Sequence, residues 1–413
     1  MLEHHAVAVR DGKIEAVLPA AQAAARFASY EKLVLENHVL MPGLVNAHTH
    51  AAMSLLRGLA DDLPLMRWLE EHIWPAETKH VSRDFVRDGT LLACAEMIRG
   101  GITCFNDMYF FPEASLEAAL AAGLRSAQGM IVIEFPSAYA ADAADYLRRG
   151  LEVRDRHGDE PLASFCLAPH APYTVSDSSL KTISTLAAEL DVPVHIHVHE
   201  TKGEIERSVA EHGVRPLERL ARLGLVGPGL VAVHAVHLND HEIGLLAQNG
   251  CSVVHCPSSN LKLASGFAPV HALMSKGVNV ALGTDGAASN NRLDMFQEMR
   301  TAALLAKAVG DDAVAMPAHA ALRAATLAGA KALGLEKITG SIEPGKAADL
   351  IAVDFSAPEL SPCYDVLSHL VYVAGRENVS HVWVAGNPLL QERELEVSLE
   401  GRWQLWQNAL KKI

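Results

Sequence analysis

The strongest constraint in the sequence is a series of eight short, β-rich apolar runs, each bounded by turn residues. They are Leu44–Ala47, Ile102–Asp107, Ser126–Ile133, Ala163–Leu167, Val192–Val198, Leu230–Val236, Ser252–Cys256 and Val278–Leu282. Between most of them lie segments of helical length, such as Ser82–Arg99, Ser176–Leu190 and Lys202–Leu223. Asp, Ser or Thr often opens these segments, and Gly100, Gly224, Gly250 and Gly277 close several of the intervals. Strands that are apolar throughout and alternate with helices suit a parallel sheet covered on its outer face. Eight such units over about 250 residues predict an α/β fold of the closed (β/α)8, TIM-barrel type, with a doubly wound open sheet as the plainer competitor.

The two ends of the chain read differently. Residues 1–43 and 338–413 carry short strands and turns, among them Ala6–Arg10, Ile14–Leu18, Asp349–Val353 and His381–Val384. This pattern predicts a barrel over 44–337 and a small β-sandwich-like domain assembled from both termini, 1–43 and 338–413. The Asp11-Gly12 turn follows directly on the first strand-like run, so a further strand is expected ahead of it.

Composition narrows the function classes. A chain of 413 residues that is half apolar can bury one large core and a satellite domain. Its formal net charge of −14 makes a nucleic-acid backbone a poor partner, although a small nucleoside is not excluded. No stretch approaches the ~18 apolar residues of a membrane span, and Met1 to Asp11 lacks the apolar centre of a secretory signal. Cys94, Cys104, Cys166, Cys251, Cys256 and Cys363 form no C-x-x-C pair, which predicts reduced thiols and a cytoplasmic location.

In a TIM barrel the active site is built at the C-terminal ends of the strands, so those positions are a test. Strand 1 ends in His48-Thr49-His50, strand 5 in His195-Ile196-His197-Val198-His199-Glu200, strand 6 in His234, and strand 8 in Thr284-Asp285-Gly286; strand 4 runs into His170. Residues two apart on a strand point the same way, so His48 and His50 can share one ion. A single H-x-H is by itself more often a satisfied core pair. Four strand ends agreeing point instead to a catalytic metal site with an open position for water. On strand 5, His195, His197 and His199 share a face and any of them could be the ligand. Glu200, just past the strand, could reach over the metal as an acid or base.

These segments resemble the amidohydrolase superfamily, and within it the 5-methylthioadenosine/S-adenosylhomocysteine deaminase group. The resemblance is carried by Pro42 to His50, Trp68 to Glu77, His170 to Thr174, His197 to Thr201, His234 to Leu238, Gly283 to Asn291 and Gly340 to Asp349, over nearly the whole chain. It implies metal ligands His48, His50, His197 and Asp285, with His195 and His199 as packing or supporting residues. Glu200 would protonate the purine N1, His234 would orient the attacking hydroxide, and Asp285 would also take the water proton. His170 and Ser289 would contact the substrate. Glu77 would hold the ribose hydroxyls and Trp68 would pack on the base, although Trp68 also reads as a plain core residue. His237 would face away from the site. The implied cofactor is one divalent metal per subunit, zinc first, with Fe²⁺ and Mn²⁺ tolerating similar ligands. The implied assembly is a dimer or tetramer of identical chains.

The implied reaction is hydrolytic deamination of an adenine nucleoside at C6, releasing ammonia. Two departures refine it. Strand 4 has no lysine in Ser164 to His170, which favours a single metal over a bridged pair. Where members that act on S-adenosylhomocysteine tend to carry an arginine after strand 3, this chain has Gln128-Gly129 and then the apolar Met130 to Ile133. That favours 5'-methylthioadenosine, with S-adenosylhomocysteine or adenosine as further substrates. Arg148 or Arg149 remain able to hold a carboxylate from the next loop. The competing readings are a guanine, cytosine or triazine type of hydrolase on the same barrel, and a non-enzymatic scaffold, which would be expected to have lost ligands.

Overall fold

The computed structural model describes residues 1–397 and 401–411. Eight parallel strands form one sheet in sequence order: Leu44–Thr49, Ile102–Asp107, Arg125–Val132, Ala163–Pro169, Val194–Val198, Leu230–His234, Ser252–His255 and Asn279–Leu282. The first strand and the last are brought together by side chains as well as backbone. Asn46 Nδ2 donates to Thr284 Oγ1 at 2.7 Å, Thr284 N donates to Asn46 Oδ1 at 2.9 Å, and Asp285 N donates to the His48 carbonyl at 3.0 Å. Gly283 permits this approach, because a Cβ there would lie 2.9 Å from both His48 N and His48 Cβ. The sheet is thus barrel-like rather than open, with Asn46 and Thr284 fully buried in the seam.

Helices cover the outside, and several openers read from the sequence act as caps. Ser82 accepts from Phe85 N, Ser176 from Ser179 N, and Thr201 from Glu204 N, so each satisfies an otherwise orphaned N–H. One helical segment differs from expectation. Lys202–Leu223 is two helices, Lys202–His212 and Pro216–Arg222, because Gly213 turns left-handed (φ 72°) and Pro216 opens the second.

The termini supply antiparallel structure. His38–Pro42 pairs with Leu350–Asp354, which continues through Val379–Val384, Asn387–Gln391 and Glu394–Leu395 into a five-stranded sheet. The hairpin His5–Arg10 and Lys13–Pro19 stacks on it through Ile14, which packs with Ala348 and Leu350. Its turn residues Asp11 and Gly12 both have positive φ, as a tight hairpin requires. A buried ion pair fixes this unit to the barrel: Arg125 on the third strand donates to Asp349 at 2.8 and 3.3 Å, and Asp349 also accepts from Ala385 N. No described helix is long and apolar enough to cross a membrane.

Candidate active site and metal centre

The strand ends deliver five donors to one point. His48 Nε2 lies 3.1 Å from His197 Nε2 and 3.4 Å from Asp285 Oδ1, and His50 Nε2 lies 3.3 Å from the same Asp285 oxygen. Ligand atoms of His48, His197 and His234 fall within 4.8 Å of one another, as do those of His48, His50 and Asp285.

The opposite nitrogen of each ring shows why these atoms face inward. His50 Nδ1 donates to the Met108 carbonyl at 2.6 Å and His197 Nδ1 to the His170 carbonyl at 2.8 Å. A carbonyl can only accept, so these Nδ1 atoms carry the protons and leave Nε2 as bare lone pairs. His234 Nδ1 is paired with Asn260 Oδ1 at 2.9 Å, and His48 Nδ1 with His195 Nε2 at 2.9 Å.

Burial keeps the His48 and His197 imidazoles neutral. It is the main cause lowering His48 to about 4, and it holds His197 well below the ordinary range, with neighbouring histidines adding to the shift. Burial pushes the Asp285 carboxyl up, but His48 and His50 outweigh it and hold it ionised, well below the usual carboxylate range. Neutral imidazole lone pairs 3.1 Å apart, beside an ionised carboxylate, repel unless something positive sits among them. Their chemistry fits a divalent metal ion. Among the described residues, strand 4 brings neither a lysine nor a carboxylate to this point, and the donor set suits one ion.

The resemblance-implied residues fall around this centre in a cavity of about 550 Å³, lined by His50, Trp68, Glu77, His170, His197, Glu200, His234, Asp285 and Ser289 among others. Glu200 lies 3.8 Å from His234 Nε2, and burial first of all raises its pKa. Its backbone is clamped by Glu204, whose carboxylate accepts from His199 N and Glu200 N at 2.8 Å each. His170 Nδ1 pairs with Thr174 Oγ1 at 2.9 Å. Ser289 directs its hydroxyl to Asp285 Oδ2 at 2.8 Å, with Gly286 O at 3.1 Å, so it supports the aspartate as well as lining the cavity. Glu77 accepts from Tyr109 Oη at 2.7 Å, and burial pushes its carboxyl up to about 7. Trp68 packs in an apolar cluster with Leu65, Leu69 and Ile73 and is one of the residues lining the cavity, while its indole Nε1 is buried without a protein partner.

On strand 5 the geometry separates three histidines that look alike in sequence. His197 faces the centre; His195 backs His48; His199 adopts φ 58° and turns to accept from Leu217 N at 3.0 Å. His237 also faces away, with Nε2 on the Ser265 carbonyl at 2.6 Å.

Two sequence expectations need correction. Gln128 is buried on the third strand and bonds Ser126 Oγ at 3.0 Å; it does not line the cavity. The positions of that strand and loop that do are Ile131, Ile133 and Phe135, further along the chain toward the strand's C-terminal end and past it. Arg148 and Arg149 do not substitute for a missing cation. They lie on the surface of helix Ala143–His157, paired with Asp145 and, for Arg148, Glu152. Among the described residues no lysine or arginine lines the cavity.

Sequence reading missed Ser259 and Asn260, on the short helix Pro257–Lys262 after strand 7. Ser259 Oγ donates to Asp285 Oδ2 at 2.6 Å, while Asn260 holds His234. The only signal was Pro257-Ser258-Ser259-Asn260 at a strand end.

A closed parallel barrel with histidines and an aspartate gathered at one mouth defines a metal-dependent hydrolase. The chain belongs to the amidohydrolase family, whose profile matches residues 39–389. It is 50% identical, over 96% of its length and 89% of the relative's, to the 5-methylthioadenosine/S-adenosylhomocysteine deaminase of Saccharophagus degradans. It is 47% identical, over 87% of its length and 83% of the relative's, to the 5'-deoxyadenosine deaminase of Methanothermobacter thermautotrophicus. Among solved structures it is similar to an adenosine deaminase from Xanthomonas campestris with bound zinc: TM-score 0.98, 53% identity, covering 100% of this chain and 95% of that one.

Proposed function

We propose that this chain is an aminohydrolase that deaminates adenine nucleosides at C6, with 5'-methylthioadenosine as its preferred substrate. The observation that carries the reading is one cavity with two chemistries. An acid–base and metal-donor cluster lies at its floor, and its far wall is apolar. The names of the similar deaminases support the same reaction class.

His48, His50, His197 and Asp285 would hold the metal, and zinc is the ion proposed. When bound, it supplies the acidity that makes hydroxide available near neutral pH, where water alone would have almost none. His234, aligned by Asn260, orients the attacking water toward C6 through its bare Nε2. Glu200, whose burial favours the protonated form, gives its proton to N1, so the ring accepts the electron pair displaced by attack. Asp285 takes the water proton and returns it to the departing amine. The C6–N bond breaks, ammonia leaves, the C6 hydroxyl proton passes to the deprotonated Glu200 and resets it, and the product keeps the proton on N1 and a carbonyl at C6. Glu77 accepts from the ribose hydroxyls, His170 and Ser289 contact the base or sugar, and Trp68 packs on the base. Ile131, Ile133 and Phe135 suit the apolar methylthio group. A zwitterionic amino-acid tail would find no guanidinium there.

The test is an ultraviolet assay of zinc-loaded protein with 5'-methylthioadenosine, S-adenosylhomocysteine, adenosine and guanine in parallel. The expected result is loss of adenine absorbance with stoichiometric ammonia, with kcat/KM highest for 5'-methylthioadenosine. No reaction with any adenine nucleoside by protein carrying one metal per chain would overturn the assignment. Faster turnover of S-adenosylhomocysteine would overturn the stated preference.

A further inference from the structure

A second cleft, of about 480 Å³, opens between the barrel helix Arg83–Arg99 and the C-terminal edge of the small sheet, and shares no lining residue with the catalytic cavity. The helix presents Leu92, Ala95, Glu96 and Arg99, whose spacing of three, one and three residues places them on one face. Arg57 enters from the segment after strand 1. Arg376 comes from the turn Arg376–Asn378, and Arg393 from the turn between strands Asn387–Gln391 and Glu394–Leu395. Four guanidinium groups therefore line the cleft with a single carboxylate, in a chain whose formal net charge is −14.

That carboxylate is already in demand. Glu96 pairs with Arg57, and its Oε1 accepts from Arg376 Nη1 at 3.1 Å and from Leu293 N at 3.2 Å. Asp294, 3.9 Å from Arg376, is shared with Arg292 at 3.4 Å. Arg393 is locked in place by the carbonyls of Arg376, Glu377 and Val379, all bonded to its Nη1 at 3.0, 2.7 and 2.9 Å. Its Nε and Nη2 make no hydrogen bond among the described residues. Arg99 has no hydrogen bond or ion pair among them either. Burial first, and then the charge of Arg99, lowers the Arg393 pKa; Glu377 opposes this and Arg376 adds to it.

We propose that this cleft is a binding site for a phosphorylated small molecule, held by Arg99, Arg376 and Arg393 with Arg57 at its edge. A carboxylate is satisfied by one bidentate arginine, whereas a phosphate offers three oxygens to several guanidinium forks at once. The cleft has the size of a small-molecule site. The formal net charge of −14 on the chain disfavours an extended polyanion such as a nucleic acid.

The test is calorimetric titration of the full-length, metal-loaded protein with fructose 1,6-bisphosphate and, separately, inorganic phosphate, at matched ionic strength in chloride buffer. Arg99→Ala and Arg99→Glu are titrated alongside. Arg99 is exposed and supports no other side chain, so both variants are expected to melt within about 2 °C of the parent. If Arg99→Glu melts lower, Arg99→Lys replaces it, keeping the charge but not the fork, and is expected to weaken binding about threefold or more. The expected result is saturable binding of one ligand per chain, weakened at least about tenfold by Arg99→Ala and lost in Arg99→Glu. Equal affinity for phosphate and the ester would identify free phosphate as the ligand. An ester at least about tenfold tighter would identify a phosphorylated metabolite, and either result supports the site. Absence of saturable binding up to about 10 mM, or an affinity unchanged in the variants, overturns it.

Discussion

At the strand ends, each imidazole facing the centre is fixed through its second nitrogen, by Met108, His170, Asn260 or His195. The segment that roofs the same cavity is built differently. Its short pieces, helix Leu65–Trp68, the wider turn Leu69–Ile73 and helix Trp74–His80, are held by an apolar cluster of their own around Leu56, Leu65, Trp68 and Phe85. Gly58 and Asp62, both at positive φ, lead into it. Polar bonds at the floor define a position to within tenths of an ångström, whereas apolar packing defines a shape but tolerates substitution. The floor is therefore expected to control turnover and the roof to control which nucleoside is accepted.

The largest effects should come from the floor. Removing the metal with a chelator, or replacing His197 with Ala, is expected to abolish turnover and reduce bound metal below one per chain; only the chelated protein should recover on adding zinc. Glu200→Gln should retain metal and KM while kcat falls about 100- to 10,000-fold. Retained turnover would end the distinction, because the proton would have to come from elsewhere. Asn260→Ala sharpens it: the variant leaves every proposed ligand in place and is expected to cost about 10- to 100-fold in kcat. Asn260→Asp, which keeps the acceptor oxygen, should recover part of that loss.

Roof changes should act mainly through KM. Burial pushes the Glu77 carboxyl up to about 7, and in the proposed binding mode its ionised form is the stronger acceptor for the ribose hydroxyls. KM is therefore expected to fall as pH rises through about 7, and Glu77→Gln should raise KM about tenfold and flatten that dependence. The smallest effect is assigned to Trp68→Phe, which keeps an aromatic ring in the cluster but reduces the surface offered to the base; about a fivefold rise in KM with unchanged kcat is expected. A fall in kcat as large as that of Asn260→Ala would mean that the roof, too, positions the reacting atoms.

Local sequence made much of this readable. Apolar runs with turn residues between them identify the strands because burial on both faces leaves little alternative composition. His48, His50 and Asp285 stand out because imidazoles and a carboxylate at strand ends are costly to bury without a purpose. The same logic could not choose among His195, His197 and His199, since alternation places all three on one face. The choice was made by backbone torsion at His199 and by the neighbour each ring meets. Strand register was likewise beyond reach. Gln128 looked like the specificity position, but the third strand carries the chain further before it meets the cavity, at Ile131 and Ile133.

By itself, then, the sequence determined the alternation that makes a barrel and the residue types able to bind a metal, because both follow from periodicity and from the cost of buried polarity. Tertiary structure alone decided the rest. It pairs Asn260 with His234 across 26 positions and Ser259 with Asp285 across another 26. It also brings Arg57, Arg99, Arg376 and Arg393 into one cleft from segments far apart in the chain. Such contacts depend on how separate elements pack, and no local pattern encodes a distance between them.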